Sequence, residues 1–180
     1  MKKLFLLGMA LSLSVPAMGH GGISKEILTQ LFPEAENFVN RQKALTAGDV
    51  NRVEQGSGDL VQEEDKHLNV FVAVAKDPET GKMRSVGAVF MVDANDFPIG
   101  AIELVVACNL DGSVRKVLVT ENSQDKGIES ESFLSQFEGK GPSDSWDPDK
   151  DFELTGNPKS SRAVIKAVVR GVHLFLAFLG

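Results

Sequence analysis

Cysteine and tyrosine are all but missing from this chain: of 180 residues one is Cys, Cys108, and none is Tyr. A single thiol excludes an internal disulfide framework and any iron–sulfur or cysteine-rich metal centre. Histidine is scarce as well. His20, His67 and His173 stand far apart, without the short spacings that set two imidazoles on one metal ion. Positive charge falls short of negative. With 19 basic and 25 acidic residues the net charge is −6, which argues against nucleic acid as a partner, since phosphates need a basic face. Signature loops are absent too. No Gly-x-Gly-x-x-Gly follows a strand-like run, Gly81-Lys82-Met83 lacks the hydroxyl of a phosphate loop, and there is no Gly-x-Ser-x-Gly elbow. Asp144, Asp147, Asp149 and Asp151 cluster, but their proline-broken spacing is not that of a calcium loop and reads as a solvated acidic stretch. What is present is an ordinary 42% apolar share with 24% charged residues, the composition of one foldable domain that needs no staples.

The chain opens with Lys2 and Lys3, an apolar run from Leu4 to Val15, and the small-x-small triplet Ala17-Met18-Gly19. That is the layout of a secretory leader cleaved after Gly19, and the run is too short to span a bilayer comfortably. The expectation is an exported, periplasmic protein. Two lysines leave with residues 1–19, so the net charge of the remainder goes from −6 to −8. Export also suits a lone thiol, which has no partner of its own in an oxidising compartment. The chain would then begin at His20, whose imidazole beside a free amine is able to chelate copper; a mobile terminus is the plainer reading.

Apolar spacing predicts helix from Ile23 to Thr46, as two short helices broken at Pro33 or one kinked there. Ala47 to Lys66 is polar and glycine-containing and reads as a loop or weak helix. Four strands follow: Leu68–Ala75, Met83–Val92, Ala101–Cys108 and Val114–Thr120. The turns between the first pair and the last pair are Asp77-Pro78-Glu79-Thr80-Gly81 and Asn109-Leu110-Asp111-Gly112. In the last strand, alternation puts Val114, Lys116 and Leu118 on one side and Arg115, Val117 and Val119 on the other. Ser130–Phe137 reads as a short amphipathic helix and Ser160–Leu179 as a long one. The predicted fold is α+β: an antiparallel meander of about four strands, with N-terminal and C-terminal helices packed on one face. The apolar close of the last helix reads as core, with contact to a membrane surface as the lesser alternative.

Leu154-Thr155-Gly156-Asn157-Pro158-Lys159-Ser160-Ser161-Arg162-Ala163-Val164 resembles the end of the FMN-binding domain family, which includes the flavin-carrying subunits of Rnf-type and sodium-pumping quinone reductase complexes. That family's motif reads Ser/Thr-Gly-Ala-Ser/Thr-x-Ser/Thr, often followed by Ser-Arg-Ala-Val and a helix. Leu31-Phe32-Pro33-Glu34-Ala35 is similar to its N-terminal segment. Gly100 to Val106 with Asp111-Gly112-Ser113-Val114 is similar to its central hairpin, and Phe133 to Lys140 to the stretch before its motif. With the leader at 1–19, the resemblance implies an N-terminal helical segment and loop at 20–66 and an FMN-binding-like α+β domain at 67–180.

It also implies a function and a site. Thr155 and Gly156 match the first two motif positions, and Ser160 falls where the family forms a phosphoester with FMN, attached by a flavin transferase. Asn157 stands in place of the small Ala, and Pro158 in place of the middle hydroxyl, which removes one N–H. The implied cofactor-binding set is Thr155, Gly156, Asn157, Lys159, Ser160, Ser161 and Arg162. A phosphate would lie at a helix start, with Lys159 and Arg162 adding charge. Without flavin, Ser160 reads as a helix cap and the two cations as solvated. Thr120, Glu121 and Lys126-Gly127-Ile128 fall in the region that borders the family's flavin. Trp146 and Phe152 are candidates to stack on it, or packing residues. The implied activity is electron carriage in a periplasmic or membrane-associated chain, with a cytochrome or membrane reductase as redox partner. Two other readings stay open: a flavin-free member that serves as an interaction module in a redox complex, and a metal handler using His20.

Overall fold

The chain is described by a computed structural model over residues 22–98 and 100–180. The expected leader and His20 lie outside the described residues. Helix α1 (Lys25–Leu31) starts at Ser24 and ends before Pro33. The second helix expected after Pro33 is instead strand β1 (Asn37–Ala44). Its Asn-rich sequence is a poor helix former, and pairing along its full length, from Asn37↔Val74 to Ala44↔His67, overrides the local apolar spacing. Helix α2 (Ala47–Ser57) lies in the stretch that read as a loop or weak helix. A capping box starts it: the Asp49 N–H donates to Thr46 Oγ1 at 3.1 Å, and the Thr46 N–H donates to Asp49 Oδ2 at 2.9 Å.

The remaining strands are β2 (His67–Lys76), β3 (Met83–Asp93), β4 (Ile102–Asn109) and β5 (Val114–Asn122), close to their expected bounds. The sheet is an antiparallel meander in the order β1-β2-β3-β4-β5, with five strands rather than about four. β5 departs from simple alternation. Lys116 pairs with Ala107 and Val114 with Cys108, so Arg115 is an extra, bulged residue. The bulge turns Val114 to the same face as Val117 and Val119, opposite to the side the sequence pattern gave it.

Both faces of the sheet are covered, not one. Leu68, Val70, Ala88, Phe90, Val92, Leu104 and Val106 point toward α2 and α4, the latter spanning Pro158–Leu179. Ala73, Val89, Val105 and Ala107 point the other way, under α1 and Phe32. Arg115, turned to this second face, lies 4.3 Å from the centre of the Phe32 ring and makes a two-pronged pair with Glu34 at 2.7 and 2.9 Å. Helix α3 (Glu131–Leu134) runs into a 3₁₀ turn, Ser135–Phe137. It carries Phe133 and Phe137 into an aromatic group with Phe152 and Trp146, with the Phe137 and Phe152 ring centres 5.1 Å apart. The Trp146 indole donates to the Gly141 carbonyl at 3.0 Å, so this aromatic pair anchors a loop. Among the described residues no helix is long and apolar enough to cross a membrane.

Candidate functional site

The motif residues lie where α4 begins, and Asn157 rather than Ser160 is the cap. Asn157 Oδ1 accepts from the Lys159 N–H at 2.9 Å, and Pro158 takes the first helical position, where a missing N–H costs nothing. A serine three residues further on cannot cap the same helix, so the expected capping role of Ser160 is corrected. Ser160 sits inside the first turn, 1% exposed, and its Oγ has no hydrogen-bond partner among the described residues. Ser161 is buried too. Its hydroxyl donates to the Thr155 carbonyl at 2.6 Å and accepts from the Thr155 N–H at 3.2 Å, fastening the start of the helix to the segment before it.

The two cations expected to face a phosphate point elsewhere. Lys159 Nζ lies 4.7 Å from the centre of the Phe97 ring. Arg162 makes a two-pronged pair with Asp149, at 2.9 Å through one nitrogen and 2.5 Å through the other.

The decisive group comes from outside the motif. Asp125, in the loop after β5, places Oδ2 on the Asn157 N–H and Oδ1 on the Gly127 N–H at 3.0 Å. Its own N–H donates to Asn122 Oδ1 at 3.0 Å, which fixes the loop. The Asn157 N–H first, and the Gly127 N–H second, hold the Asp125 carboxyl below its ordinary value, so it is charged at neutral pH. Gly156 has φ +57°, and a Cβ there would overlap the Asp125 carboxylate. A Cβ on Gly127 would come within 2.9 Å of the Gly156 Cα. The two loops therefore meet backbone to backbone, with the carboxylate clasped between them.

This arrangement bears on how a phosphate would fit at the α4 start. Of the amides that open α4, Asn157 gives its N–H to Asp125, Pro158 has none, Lys159 is bonded to Asn157 Oδ1, and the Ser161 N–H goes to the Asn157 carbonyl at 3.2 Å. An FMN phosphate placed there would meet a carboxylate of its own sign. The residues present do not fit the phosphate. The bordering residues are engaged as well: Thr120 Oγ1 donates to Glu103 Oε1 at 2.8 Å, and Lys126 Nζ pairs with Glu129 at 2.9 Å. Four of the surface cavities, of about 490 to 590 Å³, are lined by no residue from 155 to 162.

Other reactive groups are quiet. Cys108 is buried, and burial pushes its thiol up to about 12, so it is not a nucleophile. No group of three or more metal-ligating side chains gathers among the described residues. Arg170 carries a charge into the core from the middle of α4. It is fully buried. One nitrogen reaches Asp59 Oδ2 at 2.5 Å, another the Asp93 carbonyl at 2.5 Å, and Nε lies 2.9 Å from Asp65 Oδ2. That last pair is near enough for charge attraction but not aligned as a hydrogen bond. Comparison with family models, with curated proteins and with solved structures finds no match for this chain.

Proposed function

We propose that this chain is a flavin-free, exported interaction module on a scaffold like that of the FMN-binding domains, docking within a redox assembly rather than carrying electrons itself. One observation carries the reading: the Asp125 carboxylate occupies the amides at Gly127 and Asn157 where the resemblance would put the FMN phosphate. The engagement of Lys159 and Arg162 with Phe97 and Asp149 supports it. The link to a redox assembly and to export rests on the resemblance and on the leader pattern.

The test is intact mass and visible absorbance of the protein purified from a host that makes the flavin transferase. The expected result is a colourless protein with no added mass. An adduct equal to FMN less water would overturn the reading.

One feature favours a second reading, a covalent flavoprotein electron carrier: the Ser160 Oγ, at the family's linkage position, is the one motif hydroxyl that is buried without a partner. On that reading Ser160→Ala removes the adduct and leaves the fold in place.

A further inference from the structure

The sheet face that carries α4 is wider than the helix. α4 packs on β3, β4 and α2, and leaves the β1–β2 side of that face half covered. Val39, Val72 and Val74 are only partly buried there. Together with Phe175 and Phe178 they wall a groove of about 490 Å³ that ends at Leu179. Leu110 and Leu179, at its rim, are 46% and 51% exposed. Apolar walls of this extent, open to solvent, mark a contact surface rather than a neutral one, and the volume is that of a ligand site.

The charges around this groove set its occupant. Arg41 and Lys43 line it, and no Asp or Glu side chain does, in a chain where acids outnumber bases by 25 to 19. Lys43 Nζ donates to the Ala177 carbonyl, which fixes that cation at the C-terminal end of α4. Arg41 is exposed on the edge strand and forms no ion pair among the described residues. An apolar trough with a free guanidinium and a fixed ammonium at its mouth is complementary to one apolar tail carrying an anionic head.

We propose that the groove between β1–β2 and the end of α4 seats an acyl chain of an anionic membrane lipid, with the headgroup phosphate on Arg41 and Lys43, so that the protein docks on a lipid surface without spanning it. The proposal does not depend on whether flavin is carried.

Flotation of the purified, processed protein with phosphatidylglycerol vesicles, and separately with phosphatidylcholine vesicles, tests it. Two variants change exposed side chains and so spare the fold: Arg41→Glu and Leu179→Asp, with melting temperature as the check. The expected result is flotation with phosphatidylglycerol only, weakened by salt, and reduced about tenfold in each variant, as charge reversal and loss of apolar contact at a membrane surface require. Any of three results overturns the proposal. These are no flotation with phosphatidylglycerol, equal flotation with both lipids, and variants that float like the parent. A concentration-dependent dimer that Leu179→Asp abolishes, without flotation, would overturn it by giving the groove to a second copy of the chain.

Discussion

Replacing Arg170 with Met should unbalance the core. Met fills much of the space of the arginine stem and keeps its apolar contacts on α4. What it removes is the cation. Asp59 would keep only Asn95, which donates to its Oδ2 at 3.1 Å. Asp65 would keep the Gln62 N–H at 3.2 Å, and the Asp93 carbonyl would lose the arginine NH2. The side chain of Asp65 is 4% exposed and that of Asp59 12%, so neither charge regains much water. Removing one partner of a buried ion pair costs about 3–5 kcal/mol, chiefly as the penalty on the charge left behind. Water at the edge of Asp59 places this case at the lower end, about 3 kcal/mol. Domains commonly hold about 5–15 kcal/mol in total. In a chain of this length each kcal/mol moves the midpoint by about 2–4 °C, so the melting temperature should drop by roughly 10 °C.

The assay is denaturant unfolding followed through Trp146, the only Trp in the chain. Adding Asp59→Asn and Asp65→Asn to Arg170→Met should recover part of the loss, because the stranded charges are then gone and the effects of contacting residues do not add. A loss below about 1 kcal/mol for Arg170→Met, or no recovery in the triple variant, would refute the account of Arg170 as the charge that holds the 58–66 loop to the last helix.

Four further outcomes follow from particular contacts. Gly87→Ala should cost about 2 kcal/mol or more, measured by the same unfolding, because its Cβ would overlap the Cys108 carbonyl oxygen and the Phe32 ring. Gly156→Ala and Asp125→Ala should each lower the melting temperature and, combined, should do little more than either alone, since both break the same clasp. Stability should fall as pH drops from about 7.5 to about 5.5, and less steeply in His173→Gln: burial holds the His173 pKa below its ordinary value, so the unfolded chain takes the proton first and folding loses ground as pH falls through that range. Asn157→Ala with Pro158→Thr restores the family's motif but should not yield a flavin adduct in a transferase host unless Asp125→Ser is added, and mass spectrometry reads the difference.

Strands β2 to β5 were legible because alternation and turn chemistry are local: Asp77 and the Asp111-Gly112 pair announce their hairpins within a few residues. β1 was not, because its identity comes from pairing with residues some thirty positions away, while its own Phe38 and Val39 mimic a helical stripe. The start of α2 was legible in principle, since Thr46 and Asp49 spell a capping box, but two glycines masked it. Arg115 shows the limit of alternation, for one bulged residue moves Val114 to the opposite face. At the candidate site the sequence located the start of α4 within two residues and misassigned its cap, since Asn157 takes the Lys159 amide before Ser160 is reached. Asp125 was beyond reach: it lies 32 residues from its partner, and nothing in its neighbourhood announces the contact.

The departures at Asn157 and Pro158 gain meaning only beside Asp125. A helix start offers its first amides to whatever anion or acceptor is near. Where a phosphate is to bind, those amides must stay open until it arrives. Here Pro158 deletes one, Asn157 caps another with its own side chain, and Asp125 takes a third. Each change alone would merely weaken an anion site; together they remove or engage three of the groups that would face the anion. Gly156 and Gly127 then serve the approach of two backbones rather than of a ligand. Glycine at position 156 is thus compatible with both uses, and the residues that decide between them are the ones that differ from the motif. The hydroxyl of Ser160 takes no part in this: it sits in the first turn, buried, with no hydrogen-bond partner among the described residues.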